Sequence, residues 1–156
     1  MRTKSFHALT FLAAMTATTA AHAGIPEGDV FLEIVNNRIT TGLISEDGSE
    51  ITHGVRLFAG DLGVDGPNFG SDPGFMGLPG TFQVGTSVAF NLRAALRKWD
   101  GTDFSTIPPE TMTVALGPLG PVETPPVDML VPGFSIPVSS DPGSEGEWHH
   151  HPVQTL

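Results

Sequence analysis

The sequence predicts an all-β protein: a single antiparallel β-sandwich, with a jelly-roll as one form of it, over residues 24–156. Three observations predict it. Apolar and polar residues alternate over about eight short runs, each bounded by turn residues. No stretch carries the 3.6-residue period of a long amphipathic helix. Gly and Pro number 19 and 14 of the 156 residues, which supplies many sharp turns, while apolar residues remain frequent enough for a core.

Residues 1–23 read as a secretory signal peptide. Arg2 and Lys4 give a positive start, Ala8 to Ala17 is apolar apart from Thr10 and Thr16, and Ala21-His22-Ala23 is a small-x-small cleavage site. The apolar run is well short of the roughly 20 residues of a membrane span. A buried N-terminal helix is the alternative, and Gly24-Ile25-Pro26 would break it. The expectation is a chain that is exported, to the periplasm or beyond, and not inserted in the membrane after cleavage.

Asp29–Val35 and Arg38–Ile44 are expected to form a hairpin, because Asn36-Asn37 tolerates the positive φ of a tight turn. On the first strand Val30, Leu32 and Ile34 share one face, and Phe31, Glu33 and Val35 the other. Residues 46–50 form a second turn, and residues 55–59 a third strand. Residues 60–80 are a long connection, expected to be ordered and pinned by Phe69, Phe75, Met76 and Leu78. Residues 81–84 and 87–92 follow as strands. Residues 94–99 fit a long bent strand, with a short helical turn as the alternative. Residues 111–116 are a strand, the Pro-rich segment 118–132 runs extended along an edge, residues 133–138 are a short edge strand, and residues 147–156 close the chain as one terminal strand.

Beyond residue 23, five basic residues face 17 acidic ones, a formal net charge of −12. Such a surface repels phosphate backbones and anionic lipid heads, so nucleic acid and membrane surfaces are excluded as partners, and cations are favoured. Cysteine is absent. Disulfides, thiolate ligands and cysteine nucleophiles are therefore excluded, and any bound metal relies on His, Asp, Glu or backbone oxygen.

The sharpest chemical signal is His149-His150-His151. In a strand, alternate side chains share a face, so His149 and His151 project together with Cβ atoms on the order of 7 Å apart, and His150 faces away. Two imidazoles and a carboxylate suit Zn²⁺ or another borderline divalent ion. The plainer alternative is an exposed polar edge that binds metal weakly. His53 is a candidate third ligand, and more often a residue in such a place is simply a strand end. Asp61, Asp65 and Asp72 carry oxygen for Ca²⁺, though their spacing matches no EF-hand loop. No nucleophile elbow or His-Glu-x-x-His motif is present, so no enzyme is expected.

Several phrases carry a family resemblance: Gly28-Asp-Val-Phe-Leu-Glu-Ile-Val-Asn-Asn-Arg-Ile-Thr-Thr-Gly42, Val55-Arg-Leu-Phe-Ala-Gly-Asp-Leu-Gly63, Asp72-Pro-Gly-Phe75, Pro79-Gly-Thr-Phe82, Phe90-Asn-Leu-Arg-Ala-Ala-Leu-Arg-Lys-Trp-Asp-Gly-Thr102 and Gly146-Glu-Trp-His-His-His151. In this order the chain resembles exported bacterial proteins, many from cyanobacteria and planctomycetes. Some of these carry a PEP-CTERM sorting tail, and one subgroup is repressed by the zinc-uptake regulator. The resemblance implies zinc-linked physiology outside the cytoplasm and a terminal Trp-His-x-His strand, which His149 and His151 match. The sorting tail is not seen after Leu156. The His that the family places just before the first strand is replaced near Pro26-Glu27-Gly28, where Glu27 offers a carboxylate instead.

Together these readings set an expectation. The protein is a secreted or periplasmic divalent-metal protein, a zinc store, scavenger or chaperone, with His149, His151, His53 and Glu27 as candidate ligands. The alternative is a metal-free structural or adhesive protein of the cell exterior.

Overall fold

A computed structural model describes residues 27–141 and 145–156. The expected signal peptide, residues 1–23, lies outside the described residues. Among the described residues every regular element is a strand: β1 (Asp29–Val35), β2 (Arg38–Ile44), β3 (Ile51–His53), β4 (Phe69–Gly70), β5 (Phe75–Gly77), β6 (Ser87–Leu92), β7 (Thr113–Leu116), β8 (Leu119–Glu123), β9 (Val131–Pro137), β10 (Trp148–His150) and β11 (Val153–Thr155). They form a five-stranded sheet ordered β10-β5-β1-β2-β3, a four-stranded sheet ordered β4-β11-β7-β8, and the ribbon β6-β9. The fold is all-β and sandwich-like. Pairing is antiparallel except between β1 and β5, which run parallel through Val30–Phe75 and Phe31–Met76.

The hairpin β1–β2 forms as alternation and turn chemistry predict. Asn36 and Asn37 take φ of 51° and 62°, the left-handed pair that matches the twist of the flanking strands. Val30 and Leu32 face inward and meet Phe82, Val88, Ile136, Val138 and Trp148 in the core. That core brings the five-stranded sheet onto the β6–β9 ribbon, with Leu116 and Leu119 of the four-stranded sheet packed alongside. Ile34 belongs to the same face by alternation but is 51 % exposed, because the hairpin tip extends beyond the layer that covers Val30 and Leu32.

Four expectations about elements are corrected. The third strand is Ile51–His53, not residues 55–59. It continues the register of β2 through Ile44–Ile51 and Gly42–His53, and Gly54, at φ 76°, turns the chain away. Residues 81–84 are a turn region, in which Thr81 N–H donates to Leu78 O at 2.9 Å and Thr86 N–H to Gln83 O at 3.1 Å. Phe82 is nonetheless buried, so its apolar character serves the core rather than a strand. Residues 94–99 are neither a bent strand nor a helical turn. Ala95 N–H donates to Asp128 Oδ1 at 3.1 Å, and Lys98 bridges only to Thr106. The terminal strand is two strands in two sheets, β10 and β11, separated at His151-Pro152; proline lacks the N–H that would continue a ladder.

The long connection 60–80 is ordered, as expected, and contributes more than covering. Its segment β5 inserts between β1 and β10, so β10 reaches β1 only through it. The expected extended run 118–132 is an edge strand only over Leu119–Glu123; the chain bends at residues 126–128, and the strand expected over 133–138 is Val131–Pro137, in the ribbon.

Candidate metal centre

The chemistry-bearing end of the chain is set by one aromatic anchor. Trp148 is 3 % exposed, meets Phe82 edge-on with ring centroids 5.7 Å apart, and donates its indole N–H to Ile136 O at 3.4 Å. With Trp148 inward, strand alternation sends His149 outward and His150 back toward Trp148, whose ring it meets at 5.1 Å. His151 follows β10 and points outward again. The predicted sidedness of the three histidines is what the structure has: the rings of His149 and His151 lie 4.9 Å apart, with His150 on the other side.

The third donor is Asp29, the first residue of β1. Its Oδ2 lies 2.9 Å from His149 Nε2 and 3.7 Å from His151 Nε2, and the two Nε2 atoms are 3.0 Å apart. For a tetrahedral Zn²⁺ with bonds of about 2.05 Å, donor atoms stand roughly 3.3 Å from one another. The three separations bracket that figure. Asp29 is 20 % exposed and each imidazole 39 %, which leaves the outer side of the cluster open to solvent.

The other edges of these donors are occupied. Asp29 Oδ1 accepts the Gly74 N–H at 2.8 Å. His151 Nδ1 lies 3.1 Å from Asp72 Oδ1 and 3.3 Å from Ser71 O. A carbonyl and a carboxylate can only accept, so a proton on His151 Nδ1 satisfies both neighbours, and in the neutral ring Nε2 is then the acceptor, 3.0 Å from His149 Nε2.

The cluster opens on a cleft of about 460 Å³, also lined by Glu27, Glu46, Asp61, Asp65 and Asp72 and by no Lys or Arg. A cleft walled by carboxylates favours cations. Asp65 Oδ2 accepts from Ser71 N–H and Oγ–H at 3.1 and 2.9 Å. Asp61, Asp65 and Asp72 thus line one cleft, yet they do not converge as a donor group: among the described residues the only group of three or more His, Asp or Glu with ligand atoms within 4.8 Å of one another is Asp29, His149 and His151.

Of the four candidate ligands, the structure brings two together. His149 and His151 come together. Glu27 lines the same cleft but stands outside the converging group. His53 is not at the site: it lies on β3, at the opposite edge of the sheet from β10, with Nδ1 2.9 Å from Glu33 Oε1 and its ring against Phe31. Asp29 was missed because its position reads as an ordinary strand start. The usable signal was its parity with Phe31 and Glu33, on the face opposite the core.

His150 has its pKa lowered from the ordinary 6.5, first by burial and then by the repulsion of His149 and His151. Both effects disfavour the protonated ring.

The fold and cluster define a class, an all-β protein with a two-histidine, one-carboxylate group at the mouth of an acidic cleft. Compared with known proteins, the chain matches no family model, no curated protein and no solved structure.

Proposed function

We propose that this is an exported divalent-metal-binding protein, a store, scavenger or chaperone, that holds Zn²⁺ through Asp29 Oδ2, His149 Nε2 and His151 Nε2. One observation carries the reading: three side chains from the first and last parts of the described fold converge at 2.9–3.7 Å, separations that bracket the roughly 3.3 Å between donors of a tetrahedral ion. Imidazole nitrogen with one carboxylate selects borderline ions over Ca²⁺, which prefers six to eight oxygens. The acidic cleft lowers the work of bringing in a dication, and the signal-peptide pattern and the resemblance to exported zinc-linked proteins support the location.

Isothermal titration of untagged protein with Zn²⁺ tests the reading. One ion per chain is expected, with large affinity losses in Asp29→Asn, His149→Ala and His151→Ala and little loss in His150→Ala. Equal losses at all three histidines would indicate a floppy cluster instead. Imidazole ligands must shed their protons, so affinity falls on acidification.

A second reading, a metal-free structural or adhesive protein of the cell exterior, is favoured by exposed apolar side chains, among them Trp99 at 52 %, Phe104 at 61 % and Leu130 at 59 %. Absence of zinc after purification, with no uptake at micromolar free Zn²⁺, would select it.

A further inference from the structure

The two outer donors of the cluster, Asp29 and His151, are 122 positions apart in sequence, yet one short turn touches both. Residues 71–74 join β4 to β5. Gly74 N–H donates to Asp29 Oδ1 at 2.8 Å, and Gly74 O accepts from Val30 N–H at 2.8 Å, so the turn grips the start of β1 through side chain and backbone together. Two and three residues earlier, Asp72 Oδ1 and Ser71 O face His151 Nδ1. Gly74 is buried and its missing side chain matters. A Cβ there would fall 2.5 Å from His151 Cε1, 2.7 Å from His151 Nδ1 and 2.7 Å from Asp29 Oδ1. The two donors converge in space that only glycine leaves empty.

We propose, resting on the metal reading above, that the Ser71–Gly74 turn is the positioning element that sets the Zn²⁺ affinity of this site. Asp72 holds His151 in the Nδ1–H form with Nε2 presented to the ion, and Gly74 fixes Asp29 while leaving room for His151 beside it. A carboxylate on the far nitrogen of a ligating histidine fixes ring orientation and tautomer and raises donor strength. Asp72 is thus a positioning residue and not itself a ligand.

The test uses Asp72→Ala, Asp72→Asn and Gly74→Ala in the full chain. The Asp72 side chain is 71 % exposed, so its truncation leaves the core intact and the test does not depend on Gly74→Ala folding. Zn²⁺ affinity is expected to fall roughly 10- to 100-fold in Asp72→Ala, to recover largely in Asp72→Asn, which keeps an acceptor oxygen, and to fall in Gly74→Ala. Long-range ¹H–¹⁵N spectra of the metal-free protein above neutral pH should show the Nδ1–H form of His151 in wild type and Asp72→Asn, and a mixture in Asp72→Ala. Wild type and Asp72→Ala binding Zn²⁺ within twofold, with an unchanged tautomer, would overturn the proposal alone. A wild-type protein that takes up no Zn²⁺, although its His151 tautomer responds to Asp72→Ala, would overturn the metal reading and this proposal with it.

Discussion

His149 Nε2 and Asp29 Oδ2 lie 2.9 Å apart although 120 residues of chain separate them. β10 has no backbone pairing with β1; it pairs over three residues with β5, and β5 over two with β1. In a chain without cysteine, an ion shared by Asp29, His149 and His151 would clasp the first and tenth strands directly. At 100 times its Kd, a ligand that binds only the folded state stabilises it by about 2.7 kcal/mol, a rise in Tm on the order of 10 °C for a domain of this size. Differential scanning calorimetry with and without Zn²⁺ should show the rise in wild type and none in Asp29→Asn.

The candidate ligands away from the converging group should behave differently. His53→Ala removes a surface contact with Glu33 and should leave Zn²⁺ affinity unchanged within about twofold, since exposed pairs contribute little. Glu27→Gln should weaken affinity only modestly and more at low salt, as expected of a wall charge rather than a ligand. A His53→Ala loss as large as that of His149→Ala, measured by competition with a zinc chelator, would remove Asp29 from the role given to it.

Acid should weaken the metal-free fold partly through His150. Its folded pKa is lowered, so below the ordinary imidazole range the unfolded chain binds more protons than the folded one. Stability is therefore fully present above about pH 6.5 and declines as pH falls through that value toward the lower folded pKa. His150→Phe keeps a ring against Trp148 without the titration. Urea midpoints at pH 7.5 and 5.5, with chelator present, should fall less in His150→Phe than in wild type; equal drops would contradict the assignment.

Trp148 couples the core to the site. Truncating a buried Trp to Ala typically costs about 3–5 kcal/mol, and here it also frees the strand that carries His149. Trp148→Ala should lower both the urea midpoint and the Zn²⁺ affinity of whatever fraction remains folded, whereas Trp148→Phe, which retains a ring against Phe82, should cost clearly less of each.

The sequence alone was enough for the properties that depend on near neighbours. Alternation determined the hairpin β1–β2 and put His149 and His151 on one face with His150 on the other, because strand side chains alternate whatever the sheet around them; that the Trp148 side is the buried one is seen only in the fold. Asn36-Asn37 determined a tight turn through its own backbone preferences. The tertiary structure decided everything that depends on which strands meet. Phe82 lies in the core without being in a strand, β5 is drawn from a loop, and the chain end divides between two sheets at Pro152. It also decided which carboxylate or histidine meets His149 and His151. His53 carried the better residue type for zinc, but β3 and β10 are opposite edges of one sheet, while Asp29 and His149 are brought together across β5. Strand pairing over 120 residues is a property of the whole packed core, and local periodicity reports the face a side chain occupies, never its neighbour from the far end of the chain.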